Sequence, residues 1–153
     1  MGDVYQAKVE YELAISSYQQ AITLEPKKAL YHNNLAEAYF LQGQYELALT
    51  NTEQAINLDP EDSYYYNGLG LIYLVKGRHE LAIEALQKGI TLNSKKDGSQ
   101  QFILGIVMGM KGNREEAITL WKQSLELVTS NLPFADFSSV NNFHLFSFLA
   151  FNY

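Results

Sequence analysis

The chain has 153 residues, which is enough for one domain with a hydrophobic core. A hydrophobic content of 47% with 18% charged residues is typical of a folded protein, and a net charge of −6 argues against generic binding to nucleic acid or an anionic membrane. The chain has no cysteine, which excludes disulfides and thiolate metal sites. No stretch approaches the roughly 18 apolar residues of a membrane span, and none resembles a signal peptide, so we expect a cytoplasmic protein.

The sequence pattern of residues 29–62 recurs along the chain at a fixed spacing. This spacing equals the separation in sequence between Gly43 and Gly77, which occupy equivalent positions. Gly43 separates two amphipathic segments, and Pro60 ends the second, so we predict helices from about Ala29 to Gln42 and from about Gln44 to Leu58. The second helix is expected to bury Leu47, Ala48, Ala55 and Ile56. The residues that recur at this spacing are Tyr5, Tyr39 and Tyr73; Ala14, Ala48 and Ala82; Pro26 and Pro60; and Gly43 and Gly77.

This pattern resembles the tetratricopeptide repeat (TPR) family. The family order is Trp-x-x-Leu-Gly-x-x-Tyr, then Ala-x-x-x-Phe, then Pro. The matching residues here are His32, Leu35, Ala36, Tyr39, Ala48, Thr52 and Pro60. The resemblance implies an all-α fold, a right-handed superhelical solenoid of antiparallel helix pairs.

In chain order, residues 1–127 divide into one partial and three full repeats. Residues 1–28 are the partial repeat, whose first helix is expected to have about half the usual length. Full repeats follow at 29–62, 63–97 and 98–127, with Asp62 or Ser63 as the N-cap of the second. An inserted residue in the loop at 94–99 displaces the last repeat by one position. Trp121 is predicted to lie in the core, at the large aromatic position of its repeat.

Residues 128–153 depart from the repeat pattern. They contain six of the eight phenylalanines of the chain and neither lysine nor arginine. Their apolar residues follow neither a helical nor a strand period cleanly. We expect an imperfect capping helix near residues 137–151, because solenoids need their last apolar face covered. The alternatives are a self-association element and a tail that is truncated or altered relative to its relatives.

No set of residues has the spacing of a catalytic or metal site. His79 occupies the position of Tyr11 and Tyr45, and His32 that of the family tryptophan, so both are expected to pack structurally. His144 lies in the phenylalanine-rich tail without a nearby carboxylate. Glu115 and Glu116 are acids at a helix start, where the helix dipole favours them. We therefore predict a protein that is not an enzyme and that needs no cofactor or metal.

The family resemblance implies that the first helices of successive repeats line a concave groove. Asparagines on these helices can donate hydrogen bonds to a peptide backbone and accept hydrogen bonds from it. The apolar residues 103, 106 and 110 either face a ligand or pack against the tail. Capture of a C-terminal carboxylate is disfavoured, because Tyr64, Gly68, Ser99 and Ile103 stand where cations would be required. The groove candidates are Leu30, Asn33, Asn34, Glu37, Leu41, Tyr64, Asn67, Leu71, Val75, Phe102, Ile103, Ile106 and Met110.

These residues predict a non-catalytic scaffold that binds a peptide or a partner protein in the groove. Two alternatives remain open. The hydrophobic tail at 128–153 could make the chain a structural element that self-associates, or the chain could be the TPR fragment of a larger regulatory protein or enzyme.

Overall fold

All regular structure in the described part of the chain is helical. The computed structural model describes residues 2–92 and 98–131. Within these ranges the helices are α1 (Gly2–Leu24), α2 (Ala29–Leu41), α3 (Tyr45–Leu58), α4 (Ser63–Val75), α5 (His79–Leu92), α6 (Ser99–Met110) and α7 (Arg114–Asn131).

Three tight turns convert these helices into antiparallel pairs. Gly43, Gly77 and Gly112 adopt φ angles of 80°, 70° and 86°, which glycine reaches at no steric cost. At the first turn the N–H of Gln44 donates to the carbonyl of Tyr39 at 2.8 Å, the long hydrogen bond of a Schellman motif, and the other two turns repeat it. Only three residues separate the helices of each pair, α2/α3, α4/α5 and α6/α7, so the chain reverses direction there. The predicted role of Gly43 is confirmed.

The N-terminal part of the chain differs from the expectation. We expected a short first helix followed by a second one, but α1 is a single helix of 23 residues. Val9 stands one repeat period before Gly43, where a turn would require a positive φ. A β-branched residue takes that conformation only at a considerable cost. The helix therefore continues through the position at which the later repeats turn.

The core runs along the helix array instead of surrounding one centre. One cluster joins α1 to α4 around Leu35, Tyr39, Ala48 and Ile72. A second cluster joins α4 to α7; its buried members are Ala82, Leu86, Ile103, Leu104, Val107, Met108 and Ala117. An extended core of this kind is typical of a solenoid.

The predicted fold class, an all-α solenoid of antiparallel helix pairs, is thus confirmed. The right-handed sense of the superhelix is what the family resemblance implies. The predicted capping helix at 137–151, His144, and most of the loop with the inserted residue lie outside the described residues. The repeat boundaries stay a prediction: α2 to α6 fall inside the predicted repeats, whereas α7 continues past residue 127 to Asn131.

Helix α3 buries a narrower face than expected. Ala48 and Ala55 are fully buried and Ile56 is partly buried, but Leu47 is 44% exposed, so its predicted burial is wrong. Successive residues of a helix point about 100° apart. The small residues 48, 52 and 55 form the contact face, and Leu47 lies beside that face instead of on it.

Within each pair, a small residue of the first helix meets a larger one of the second. A Cβ added to Gly70 would lie 2.6 Å from Leu86 Cγ, and one added to Gly105 would lie 2.5 Å from Trp121 Nε1. Trp121 packs against the second core cluster, and its indole N–H donates to the carbonyl of Phe102 at 3.3 Å. These contacts agree with the core position predicted for the tryptophan.

The starts of the first helices are held in a related way. Asp62 is the N-cap of α4 and accepts a hydrogen bond from the Tyr64 N–H at 2.9 Å, in agreement with the prediction. The Tyr66 hydroxyl donates to the carbonyl of Pro60 at 3.0 Å, and in the preceding repeat His32 Nε2 lies 3.1 Å from the Pro26 carbonyl. A carbonyl oxygen only accepts, so the ring nitrogen donates. This supports a structural role for His32.

Candidate partner-binding groove

Helices α2 and α4, the first helices of successive pairs, enclose a cavity together with α3. Its volume is about 260 Å³. We call it the α2–α4 cavity. Its lining residues are Asn33, Ala36, Glu37, Phe40, Leu41, Thr52, Tyr64, Asn67, Gly68, Leu71 and Ile72.

Six of the sequence-predicted groove residues line this cavity. They come from both first helices, although the whole of α3 separates the two sets in the sequence. Leu41 and Tyr64 are 54% and 52% exposed and stand at the opening, whereas Asn33 is only 4% exposed. The six residues are Asn33, Glu37, Leu41, Tyr64, Asn67 and Leu71.

The other predicted residues on α2 and α4 do not line the cavity. Leu30 and Val75 are exposed, and Asn34 is partly buried.

The predicted groove residues on α6 lie in several different environments. Ile103 is a buried member of the second core cluster, which favours the packing alternative for this residue, and Phe102 packs against the same cluster. Ile106 is partly buried and Met110 is exposed.

Five lining residues were missed by the sequence reasoning. Ala36 and Phe40 lie three and seven residues after Asn33, so the helical spacing of the predicted α2 residues was a sufficient signal for both. Gly68 sits one residue after Asn67 and is open to the cavity because it has no side chain. Thr52 and Ile72 are buried residues on α3 and α4, and only the packing of those helices brings them to the cavity.

The polar side chains of the cavity are two asparagines, a threonine, a tyrosine and a glutamate. Asn67 Oδ1 is buried and has no hydrogen-bond partner in the described part of the chain. A Cβ added to Gly68 would lie 3.9 Å from Asn33 Oδ1, so the side chain of Asn33 approaches α4 at Gly68. Glu37 contributes an exposed carboxylate. No lysine, arginine or histidine is among the residues that line the cavity.

The negative charges near the opening of the cavity affect the pKa of the Tyr64 hydroxyl. Its partial burial raises its pKa, and the carboxylates of Glu37 and Asp62 raise the pKa further because they disfavour a second negative charge nearby. Tyr64 therefore stays a neutral phenol near neutral pH, able to donate or accept a hydrogen bond at the mouth of the cavity.

The described part of the chain offers neither a metal site nor a membrane span. Across residues 2–92 and 98–131, no group of three or more histidine, aspartate or glutamate side chains could hold a metal ion. Over the same ranges, none of the helices combines the length and the apolar character that crossing a membrane requires.

Comparison with family models identifies the class of protein. A model described as TPR repeat matches residues 2–43 and 36–77, and a model described as tetratricopeptide repeat matches residues 63–96. Together they span well over half of the chain. The chain therefore belongs to the tetratricopeptide repeat family.

Several solved structures resemble this chain in particular. A crystal structure of MamA superposes with a TM-score of 0.72 at 28% sequence identity, covering 84% of this chain and 75% of that one. MamA residues 41 to the end from Desulfovibrio magneticus RS-1 give a TM-score of 0.72 at 25% identity, covering 87% and 75%. A further MamA crystal structure gives 0.71 at 27%, covering 88% and 75%. No protein with curated annotation matches the chain significantly.

The repeat family and these neighbours support a protein-interaction scaffold in general. Folds of this kind are typically non-catalytic, and they suggest protein partners. Which surface of the array makes the interaction is a separate question, because one fold serves many partners.

Proposed function

We propose that this chain is a non-catalytic scaffold that binds an extended peptide, or an extended segment of a partner protein, in the groove between α2 and α4. The single observation that supports this proposal is the α2–α4 cavity. Six groove residues that the sequence pattern selected line it together, from two helices of different repeats.

The size of the cavity fits one side chain of a larger partner. Small-molecule sites usually measure about 300–1,000 Å³, and about 260 Å³ is just below that range. Exposed Leu41 and Tyr64 offer apolar surface beside the opening, where neighbouring residues of a bound segment would lie. The proposal therefore describes a peptide anchored by one side chain and flanked by apolar contacts. A nucleic acid partner is disfavoured by the net charge of −6, and a cytoplasmic location stays a prediction.

Two leucines of neighbouring helices provide a matched test. Leu41 on α2 lines the cavity, and Leu47 on α3 does not, although both are large, apolar and about half exposed. Peptides would be selected from a displayed random library on the purified chain, and their affinities measured by fluorescence anisotropy for wild type, Leu41→Ala and Leu47→Ala. We expect Leu41→Ala to weaken binding about tenfold, equivalent to about 1.4 kcal/mol. Leu47→Ala should leave affinity unchanged, since its side chain lies outside the groove.

Equal losses in the two variants, or no loss in either, would contradict the groove assignment. Circular dichroism of both variants would verify that the helices are intact. Because both leucines are exposed, neither truncation leaves a core cavity behind.

A further inference from the structure

We propose that the α2–α4 cavity recognises a basic side chain, lysine or arginine, of an extended peptide. This inference rests on the groove function proposed above and adds the chemistry of the anchoring residue. It is carried by the charge of the lining and by the aromatic walls of the cavity.

The lining has one charged side chain, and that charge is negative. Glu37 is exposed on α2, and it forms no ion pair within the described residues. Because the lining contains no cation, a ligand ammonium or guanidinium would be its first positively charged neighbour in the cavity. A ligand carboxylate would instead lose water and face Glu37 without any compensating charge, which is costly.

The polar side chains of the lining include acceptors for a ligand N–H group. Asn33, Glu37 and Asn67 are lining residues that carry a side-chain oxygen. A lysine head carries three N–H donors and an arginine head five, and neither carries an acceptor. A basic head group can therefore donate to the carboxylate of Glu37 and to an amide oxygen, whereas an apolar side chain can do neither.

The apolar and aromatic walls of the cavity suit the aliphatic stem of a lysine or arginine side chain. The Tyr64 ring stands half exposed at the opening, and Phe40 and Leu71 contribute apolar surface. Lysine and arginine bury their aliphatic stems along such surfaces while the charged head reaches a polar partner. A guanidinium also stacks on an aromatic face. The influence of the Glu37 carboxylate on Tyr64 indicates that the aromatic wall and the negative charge lie close together.

The test uses four libraries of synthetic nonapeptides labelled with a fluorophore. Their central residue is arginine, lysine, norleucine or glutamate, and the remaining positions are randomised among uncharged residues. Anisotropy titrations of the full chain should show the arginine and lysine libraries binding at least about tenfold more tightly than the other two. Glu37→Gln should reduce that preference by at least about fivefold, and Glu37→Lys should reverse it toward glutamate.

Glu53→Gln is the matched control. It removes one exposed acid from α3, outside the cavity lining, and changes the net charge by the same amount. If Glu53→Gln and Glu37→Gln reduce the basic preference equally, the overall negative charge and not the cavity selects the ligand, and the inference is overturned. Circular dichroism of each variant accompanies the titrations.

The remaining outcomes separate this inference from the groove proposal. Equal binding of all four libraries, weakened by Leu41→Ala, would retain the groove and reject recognition of a basic residue. If no library binds, or if Leu41→Ala changes none of the affinities, both proposals fail together.

Discussion

Glycine and alanine on the first helices set how closely each pair can pack. In the second pair, Gly70 meets Leu86, and in the third, Gly105 meets Trp121, at distances that leave no room for a Cβ. The corresponding residues of the α2/α3 pair are Ala36 and Thr52, both buried. Alanine stands opposite the small Thr52, whereas glycine stands opposite the larger Leu86 and Trp121, so the first-helix residue is smaller where the second-helix residue is larger. The family signature position is thus a steric complement of a residue on the second helix of the same pair.

A methyl group added at Gly70 should therefore destabilise the array. In Gly70→Ala the new Cβ would lie 2.6 Å from Leu86 Cγ, and we expect the overpacking to cost about 1–3 kcal/mol in the free energy of unfolding, measured by urea denaturation. Gly68→Ala is the control, because its nearest neighbour would be Asn33 Oδ1 at 3.9 Å. Alanine favours a helix over glycine by about 1 kcal/mol, so Gly68→Ala should not destabilise the chain.

A second variant tests the complementarity itself. Gly70→Ala combined with Leu86→Thr reproduces the Ala36 and Thr52 combination of the preceding pair. We expect the double variant to recover part of the stability lost in Gly70→Ala. If the two losses simply add, the sizes of residues 70 and 86 are not coupled.

At the scale of the elements, an ion pair recurs between successive helix pairs. Lys76, the C-cap of α4, donates to Glu46 in the first turn of α3, and Lys111, the C-cap of α6, donates to Glu80 of α5 at 3.0 Å. The two acids lie one repeat period apart, and the two lysines are separated by that period plus the inserted residue. Each pair links the second helix of one pair to the first helix of the next, with the cation at a helix C-terminus where the dipole favours it.

These links predict a pH dependence of stability. The hydrogen bond from Lys76 lowers the pKa of Glu46, and the hydrogen bond from Lys111 lowers that of Glu80, below their ordinary value of 4.5. A carboxyl whose folded pKa is depressed stabilises the fold above its unfolded pKa, and this stabilisation is lost as the pH falls through the folded pKa. The contribution should therefore be complete at pH 7 and decline below about pH 4.5.

Urea unfolding of Glu46→Gln/Glu80→Gln at several pH values measures this contribution. We expect the double variant to be less stable than wild type at pH 7, by a small amount because exposed pairs are screened by water, and the difference to shrink in acid. Glu53→Gln, an exposed acid without an ion pair in the described residues, is the control. A difference that does not change with pH would show that the substitutions act through something other than the two carboxylate charges.

At the scale of the whole molecule, neighbour contacts dominate. Within the described residues, α1 contacts only α2, and α7 contacts only α6, whereas α4 contacts α2, α3, α5 and α6. An array of this kind is quasi-one-dimensional, and its end elements can open without the rest. Its local stability should therefore vary along the chain.

Hydrogen exchange measured by mass spectrometry should reveal that gradient. We expect the amides of α4 and α5 to exchange slowest and those of α1 and α7 to exchange fastest among the described helices, because each of these two contacts a single neighbouring helix there. Uniform protection across α1 to α7 would contradict this expectation, since it would mean that the array opens as a single cooperative unit.

Much of the fold was predictable from the sequence, because its determinants are local and repeated. The fixed repeat period, the glycines at positive φ and the small residues at helix contacts all act over a few turns of chain, so they predicted α2 and α3 to within a residue at each end. The Asp62 cap is local in the same sense. The unbroken α1 was not predicted, because the residues that recur in the first repeat do not show that its turn is absent. The signal is Val9, which stands at the position where the later repeats have a glycine.

The tertiary structure decided which residues of each face meet other helices. Periodicity places Leu47 and Ala48 together near one face, yet only the packing of the helices exposes the first and buries the second. It likewise assigned Ile103 to the core, and it brought Thr52 and Ile72 to the α2–α4 cavity. The physical reason is that a helical period defines directions around one axis. Burial and a shared cavity depend on the distances between several axes, and those distances are set by side chains far apart in the sequence.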